Sequence, residues 1–366
     1  MTHLEEVLTQ FNAREANEKT IIKEFRKIAE AVFWGGYFLV NGKTRIYPVD
    51  IEFYLYGERA SEEGWMQDKK MIHRKSGKEE VPYFPNKGSL YPHTFGIDVT
   101  FENSEQEYRA SFLIRSYRKD NEPVETHPSY LWEDMFGQAS FIGKGLSVVW
   151  IDEESAEPRK LGQSTRLNLK DDRKEPDLKP WRFYKKSEQK SLVFARTYGF
   201  PPLVCEEPKI LILGTLPGGE SLAHKQYYYS NSNRIWKVLH HLKGDPIPDS
   251  YEQKKALLAK HHIALWDYYE SAIRPDSSND KDLRDGHPND LAAFLSQNPT
   301  IKVIAINGFD KERTFGDAIR KSIADNPVLI DVRVIGLPET SGGNANYGWG
   351  DLDNLAREWN HIFSTT

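Results

Sequence analysis

A single cysteine, Cys205, stands among 366 residues. No disulfide can form within the chain, and neither a cysteine-ligated zinc site nor an iron–sulfur cluster can be built from it. The eleven histidines lack HExxH spacing. The neighbours His240–His241 and His261–His262 point in adjacent helix directions, not to one face, so no metal site is expected. No apolar run approaches the roughly 20 residues that span a bilayer. The opening MTHLEEVLTQF is acidic and amphipathic, unlike a secretory signal, and a cytoplasmic protein is expected. A basic excess is absent too. The net charge of −5 argues weakly against a general polyanion binder, since a small domain can carry a basic groove on an acidic protein.

What is present is length and apolar residues. A chain of 366 residues is too long for one ordinary core, so two domains are expected. Hydrophobic residues make up 39%, and aromatics 12% with nine tryptophans. Large cores account for most of these rings, although aromatics are also the surfaces on which unstacked bases sit.

The second half reads clearly. KILILG (209–214) is a continuous apolar run, as in a strand buried on both faces. NRIWKVLHHLKG (233–244) has helical spacing and ends at Gly244. A helix YEQKKALLAKH, a strand IALWDY (263–268), a helix NDLAAFLSQN (289–298) and a strand KVIAING (302–308) follow. A helix KERTFGDAIRKSIADN, a strand VRVIGLPE (332–339) and a helix GDLDNLAREWNHIF close the chain. Such alternation predicts an α/β fold, a four-stranded parallel sheet flanked by helices. Ligands then bind at the carboxyl ends of the strands, where the polar, glycine-rich segments 214–221, 267–285, 307–310 and 338–346 fall.

The first half differs. Residues 3–32 read as one or two helices broken near Asn12–Asn17. Short strand-like pieces then alternate with turn residues, which predicts an α+β, mostly β domain. The charged, proline-interrupted stretch 152–190 reads as irregular surface or linker. The expected domains are 1–195 and 205–366.

GTLPGGESLAHKQYYYSNSNRIW (214–236) begins like a phosphate loop but has no Lys-Ser/Thr pair after Gly218. That argues against a phosphate-loop hydrolase, and the absence of an aspartate cluster argues against a nucleoside hydrolase. Ser221 lacks the G-x-S-x-G elbow of a serine nucleophile.

Six segments occur in family order: LGTLPGGESL, QYYYSNSNRIWKVL, IALWDYYESAIRPDSSNDKDLRD, PND, AING and LPETSGGNA. On these, residues 209–366 resemble the uracil-DNA glycosylase superfamily, most of all its hypoxanthine-DNA (deoxyinosine) branch. The mismatch-specific uracil glycosylases share the Asn-Arg-x-Trp-Lys-Val piece. The resemblance implies a monofunctional DNA glycosylase that flips a deaminated or otherwise modified base from duplex DNA and hydrolyses its N-glycosidic bond. No cofactor is implied, and a monomer is expected.

The same resemblance implies roles. Gly214, Thr215 and Leu216 line the base pocket, with Leu216 where sister branches keep a water-orienting Asn or Asp. Asn233 carries the catalytic burden, holding water with a neutral amide; its plainer reading is a helix N-cap. Tyr228 stacks on the base, with Tyr227 and Tyr229 in competition. Asn307 meets the Watson–Crick edge, or is a strand-end turn residue. Ser341, Gly342, Gly343 and Asn344 form the loop that enters the duplex, Gly342-Gly343 departing from the branch's usual Pro-Ala. Arg274 and Ser278 fit a phosphate-contact loop.

In the first half, RIYPVDIEFYL, MIHRKSGK, NKGSLYPHTFGIDVTFEN and SFLIRSY are similar to segments of alkyladenine (3-methyladenine) DNA glycosylase. That similarity implies Glu52 as a water-activating base, Tyr54 and Tyr91 as aromatic walls, and His73 and Arg115 as phosphate or water ligands. The plainer reading is a strand with Glu52 and Tyr54 on one face. Two further possibilities stay open: a two-activity fusion, and a weakly catalytic binder of modified or abasic DNA. A role in repair or in defence against phage with modified DNA is compatible with each.

Overall fold

The computed structural model describes all residues except 12–16, 58–87, 94, 102–107, 138–144, 168–178, 276–279, 325–330, 344–347 and 364–366. Two compact units emerge, one of Met1–Ala195 with Pro275–Ser277, the other of Arg196–Arg274 with Ser278–Thr366.

The N-terminal unit opens with helices α1 (His3–Gln10) and α2 (Glu18–Trp34). A Thr2–Glu5 capping box starts the first and the Asn17 side chain caps the second, each satisfying amide donors that have no partner inside the helix. Strands β1 (Gly36–Val40), β2 (Thr44–Gly57), β3 (Leu90–His93), β4 (Gly96–Thr100), β5 (Tyr108–Lys119) and β6 (Val124–Glu125) follow. Helix α3 (Tyr130–Phe136) then leads to β7 (Val148–Asp152), β8 (Leu161–Ser164) and β9 (Arg182–Lys185). Among the described residues these strands form one antiparallel sheet with the path β3-β4-β5-β2-β1-β7, extended by β6 on β5, β9 on β2 and β8 on β9.

Alternation along β2 sends Ile51, Phe53 and Leu55 to one face. There they meet the helices, with Phe25 stacked on Phe53 at 4.2 Å. The opposite face holds Asp50, Glu52, Thr100, Ser111 and Arg182, all buried. Polar groups at such depth must pair: Arg182 grips the Asp50 carboxylate with two nitrogens. The reading of 152–190 as irregular is corrected here. It contributes β8 and β9, and Trp181 and Phe183 enter the core. The charged run on either side hid two short strands that only tertiary packing stabilises.

The C-terminal unit contains β10 (Arg196–Tyr198), β11 (Ile210–Gly214), α4 (Gly219–His224), α5 (Ile235–Lys243), α6 (Tyr251–Lys260) and β12 (Ile263–Asp267). It continues with β13 (Tyr269–Ile273), β14 (Arg284–Pro288), α7 (Leu291–Gln297), β15 (Val303–Asn307), α8 (Phe309–Ala324), β16 (Arg333–Leu337) and α9 (Leu352–Trp359). Four strands form a parallel sheet in the order β12-β11-β15-β16. Residues of β11 divide by parity. Ile210 and Ile212 pack with α5, α6 and α9, whereas Leu211 and Leu213 pack with α7 and α8. Burial on both faces is why the strand reads as an unbroken apolar run.

The segment 267–285 is not only a loop. After β12 the chain turns into β13, which pairs with β10 and β14 in a small antiparallel sheet. These strands are short and partly polar, so periodicity does not announce them. They anchor the segment that follows β12.

Candidate active site

Register brings the site together. Gly214 at the end of β11 is the direct partner of Asp267 at the end of β12. Leu213 pairs with Ile306, so Asn307 sits one step beyond, at the end of β15. Around these carboxyl ends opens a cavity of about 420 Å³. Its wall includes Gly214, Thr215 and Leu216 from the loop after β11, together with Tyr228, Asn233, Arg274 and Ser341.

A network centred on Thr340 fixes the two asparagines. Thr340 is fully buried. Its N–H donates to Asn307 Oδ1 at 2.9 Å, and its hydroxyl accepts from Asn307 Nδ2 at 3.0 Å. The hydroxyl in turn donates to Asn233 Oδ1 at 2.9 Å, and that same oxygen accepts the Ile235 N–H at 3.0 Å. Asn233 therefore does serve the start of α5, and both lone pairs of its carbonyl are used. Among the described residues its amide hydrogens have no partner and are left to act as donors. This sharpens the expectation of a water holder: at Asn233, water can be held by donation to the water oxygen, not by accepting a water proton. Thr340 escaped the sequence reading because one threonine in LPETS carries no local signal.

Asn307 is more committed than a base-edge reader would be. Its second amide hydrogen goes to Tyr228 Oη at 3.3 Å. Among the described residues, one lone pair on Oδ1 is the hydrogen-bonding capacity it keeps.

Of the three consecutive tyrosines, Tyr228 presents its ring and hydroxyl to the cavity. Tyr227 also borders the cavity, but it is buried and donates to the Phe200 and Pro201 carbonyls. Tyr229 stacks on His224 at 3.6 Å. Tyr228 sits at φ 51°, a left-handed backbone that a bulky residue rarely adopts. Burial is the main cause that pushes its phenol well above the ordinary tyrosine value, and Asp267 adds to it, so the ring stays neutral.

Arg274 holds the loop rather than offering a free guanidinium. It is buried and donates to the Leu216 and Pro217 carbonyls and to Asp280 Oδ1. Its two terminal nitrogens meet loop carbonyls and a carboxylate. Lys311 bridges Asp280 at 3.1 Å and Glu339 at 3.2 Å. Arg234 ties the far loop down through the Thr340, Ser341 and Trp349 carbonyls. Gly342 lies close against Ser232, where an added Cβ would be 3.0 Å from the Ser232 side chain. Gly343 is more open. Ser278, Asn344 and His73 lie outside the described residues.

Asp267 is the residue the sequence reading passed over. It lines the cavity, is 5% exposed, and no described hydrogen bond reaches its Oδ2. Burial pushes its carboxyl up to about 7, Asp280 adding to the rise while Arg274 and Lys311 oppose it. Asp267 closes the Leu-Trp-Asp piece of one of the six matching segments, which gave it no role; its isolation is a tertiary fact.

Gly214 is fixed by this neighbour. A Cβ there would lie 2.4 Å from Asp267 Oδ1 and 3.4 Å from Tyr228 Oη. Only glycine lets the carboxylate stand so near the strand. Gly214→Ala is expected to displace Asp267 and to cost roughly 1–3 kcal/mol through overpacking. Chemical denaturation measures that cost, and an unchanged midpoint would contradict the packing.

In the N-terminal unit, Glu52 lies in the sheet's buried polar face, fully covered. Oε1 accepts the Tyr54 hydroxyl at 2.6 Å, Oε2 accepts the Leu167 N–H at 2.9 Å, and Arg115 stands 3.6 Å away. Tyr91 is half-buried beside His93, with rings 5.8 Å apart. Glu52 is a satisfied buried carboxylate here. Among the described residues both of its oxygens have partners. Among the described residues, no group of three His, Cys, Asp or Glu side chains could hold a metal ion. No described helix is long and apolar enough to cross a membrane.

A family model described as Uracil DNA glycosylase superfamily matches residues 201–361. A "Hypoxanthine DNA glycosylase" of Methanosarcina acetivorans is 31% identical over 170 residues, which span 45% of this chain and 96% of that protein. The chain belongs to the uracil DNA glycosylase superfamily. It is thus a DNA glycosylase, with DNA as its substrate. A second protein of the same name, from Methanosarcina barkeri, is 32% identical over 30% of this chain and 70% of its own. A solution NMR structure from Methanosarcina acetivorans aligns at 27% identity over 46% of this chain and 99% of its own, with a TM-score of 0.39. Each of these alignments covers less than half of the chain, and the superfamily match begins at residue 201, beyond the N-terminal unit.

Proposed function

We propose that the cavity at the carboxyl ends of β11, β12 and β15 receives a deaminated or otherwise modified base flipped out of duplex DNA. Its N-glycosidic bond is hydrolysed there and an abasic site is left. One observation carries this reading: Asn233, with its carbonyl locked by Thr340 and Ile235, has no described partner for its amide donors and lines the cavity of about 420 Å³. Glycosidic cleavage puts negative charge on the leaving base, and a preoriented donor in a water-poor site stabilises such charge. Tyr228 supplies a flat wall for stacking. The chain's likeness to proteins named hypoxanthine DNA glycosylase makes hypoxanthine the first base to test.

The test incubates the full chain with duplexes carrying hypoxanthine, uracil, alkylated or hypermodified bases. Alkali-labile sites are expected in at least one. The reading fails if every duplex stays intact with enzyme in excess.

A further inference from the structure

Hydrolysis at C1′ needs an acceptor for a water proton, and neither Asn233 nor Leu216 supplies one. The Asn233 carbonyl is doubly engaged, and Leu216 has no polar atom. Four carboxylates border the cavity: Glu220, Asp267, Asp280 and Glu339. Asp280 is held by Arg274 and Lys311, and Glu339 by Lys311. Glu220 is exposed in the first turn of α4, where water competes for it. Asp267 alone combines burial with an oxygen that no described residue satisfies. A buried carboxylate left this way is costly, which marks a group kept for chemistry rather than for stability.

We propose that Asp267 is the proton-accepting catalytic residue of this pocket, taking a proton from the water that attacks C1′ of the flipped nucleotide. The proposal rests on the excision reading above. The C1′–N bond breaks with its electron pair passing to the base, and a C1′–O bond forms to the water oxygen. One water proton passes to the Asp267 carboxylate. The carboxylic acid then returns that proton to the departed base or to solvent, so the sum is DNA plus water giving abasic DNA plus free base. Asn233 donates to the same water or to the leaving base, so the donor comes from the start of α5 and the acceptor from the end of β12.

The groups facing Asp267 fit a titration near neutrality. Arg274 after β13 and Lys311 on α8 favour the charged form. Asp280 opposes it. Tyr227 and Tyr228 from the loop before α5 stay neutral, their phenols pushed up mainly by burial. Asn307 is uncharged.

The experiment compares wild type with Asp267→Asn, which keeps the shape of the side chain, in single-turnover base release across pH. Wild type should gain rate through the neutral range and then level off. Asp267→Asn should lose about a hundredfold at the plateau and become flat with pH, while its affinity for an abasic duplex stays within a few-fold. Thermal melting confirms that the variant folds. Formate added to Asp267→Gly should restore part of the rate, because a free carboxylate can stand in for the missing one. A release rate in Asp267→Asn within threefold of wild type, with the same pH profile, overturns the proposal. Failure of wild type to release any base overturns the excision reading instead.

Discussion

Replacing Asn233 by alanine will lower the single-turnover rate of base release by roughly two to three orders of magnitude, as loss of one preorganised donor does elsewhere. Alanine also removes the acceptor that serves Ile235 and Thr340, so about 1 kcal/mol of stability should go with it. Asn233→Asp separates the two effects. A carboxylate still accepts both hydrogen bonds, so the start of α5 and the Thr340 network survive, but the amide donors are gone. It also adds a further carboxylate to the cavity that Asp267 lines. The aspartate variant should therefore melt like wild type and still lose most of its rate. If Asn233→Asp retains the wild-type rate, the donor role is wrong and the residue is a helix cap alone.

The second large effect concerns stability. Asp267 has a folded-state value of about 7 against an ordinary 3.8. Its folded value is raised, so below pH 3.8 it is neutral in both states and costs nothing. As pH rises toward about 7 the unfolded chain ionises first, and the folded state loses stability relative to it. The rise from 3.8 to about 7 corresponds to a loss on the order of 4 kcal/mol once the folded form also ionises. Asp267→Asn removes this dependence. Urea unfolding should find the variant and wild type similar near about pH 4, with the variant more stable by a few kcal/mol near about pH 8. Equal differences at both pH values would mean that the carboxyl is solvated or paired, and would remove the physical basis for its catalytic role.

Much of the C-terminal unit was legible in the sequence because its strands are buried on both faces. KILILG and VIAIN leave no alternative at that length, and helices with apolar stripes separate them. The family motifs then picked out Gly214, Tyr228, Asn233 and Asn307, which border one cavity. What stayed hidden depends on tertiary contact. The β13–β14 pair is short and half polar. Trp181–Lys185 sits beside a charged run that masks a core strand. Thr340 and Asp267 are ordinary residues locally, and their importance lies in what surrounds them. Arg274 shows the converse: a basic residue in a polar loop suggests phosphate, yet its partners are the carbonyls of Leu216 and Pro217. On the N-terminal sheet, alternation gave the faces of β2 correctly, but only the packed structure reveals how fully Glu52 is enclosed.

The most direct test of the central claim is the product analysis of a hypoxanthine duplex, and then of the wider panel, treated with excess enzyme in heavy-oxygen water. An intact free base by mass spectrometry and one heavy oxygen at C1′ of the abasic strand are expected, with both signals lost in Asn233→Asp. No free base from any duplex, or a base signal unchanged in that variant, would contradict it.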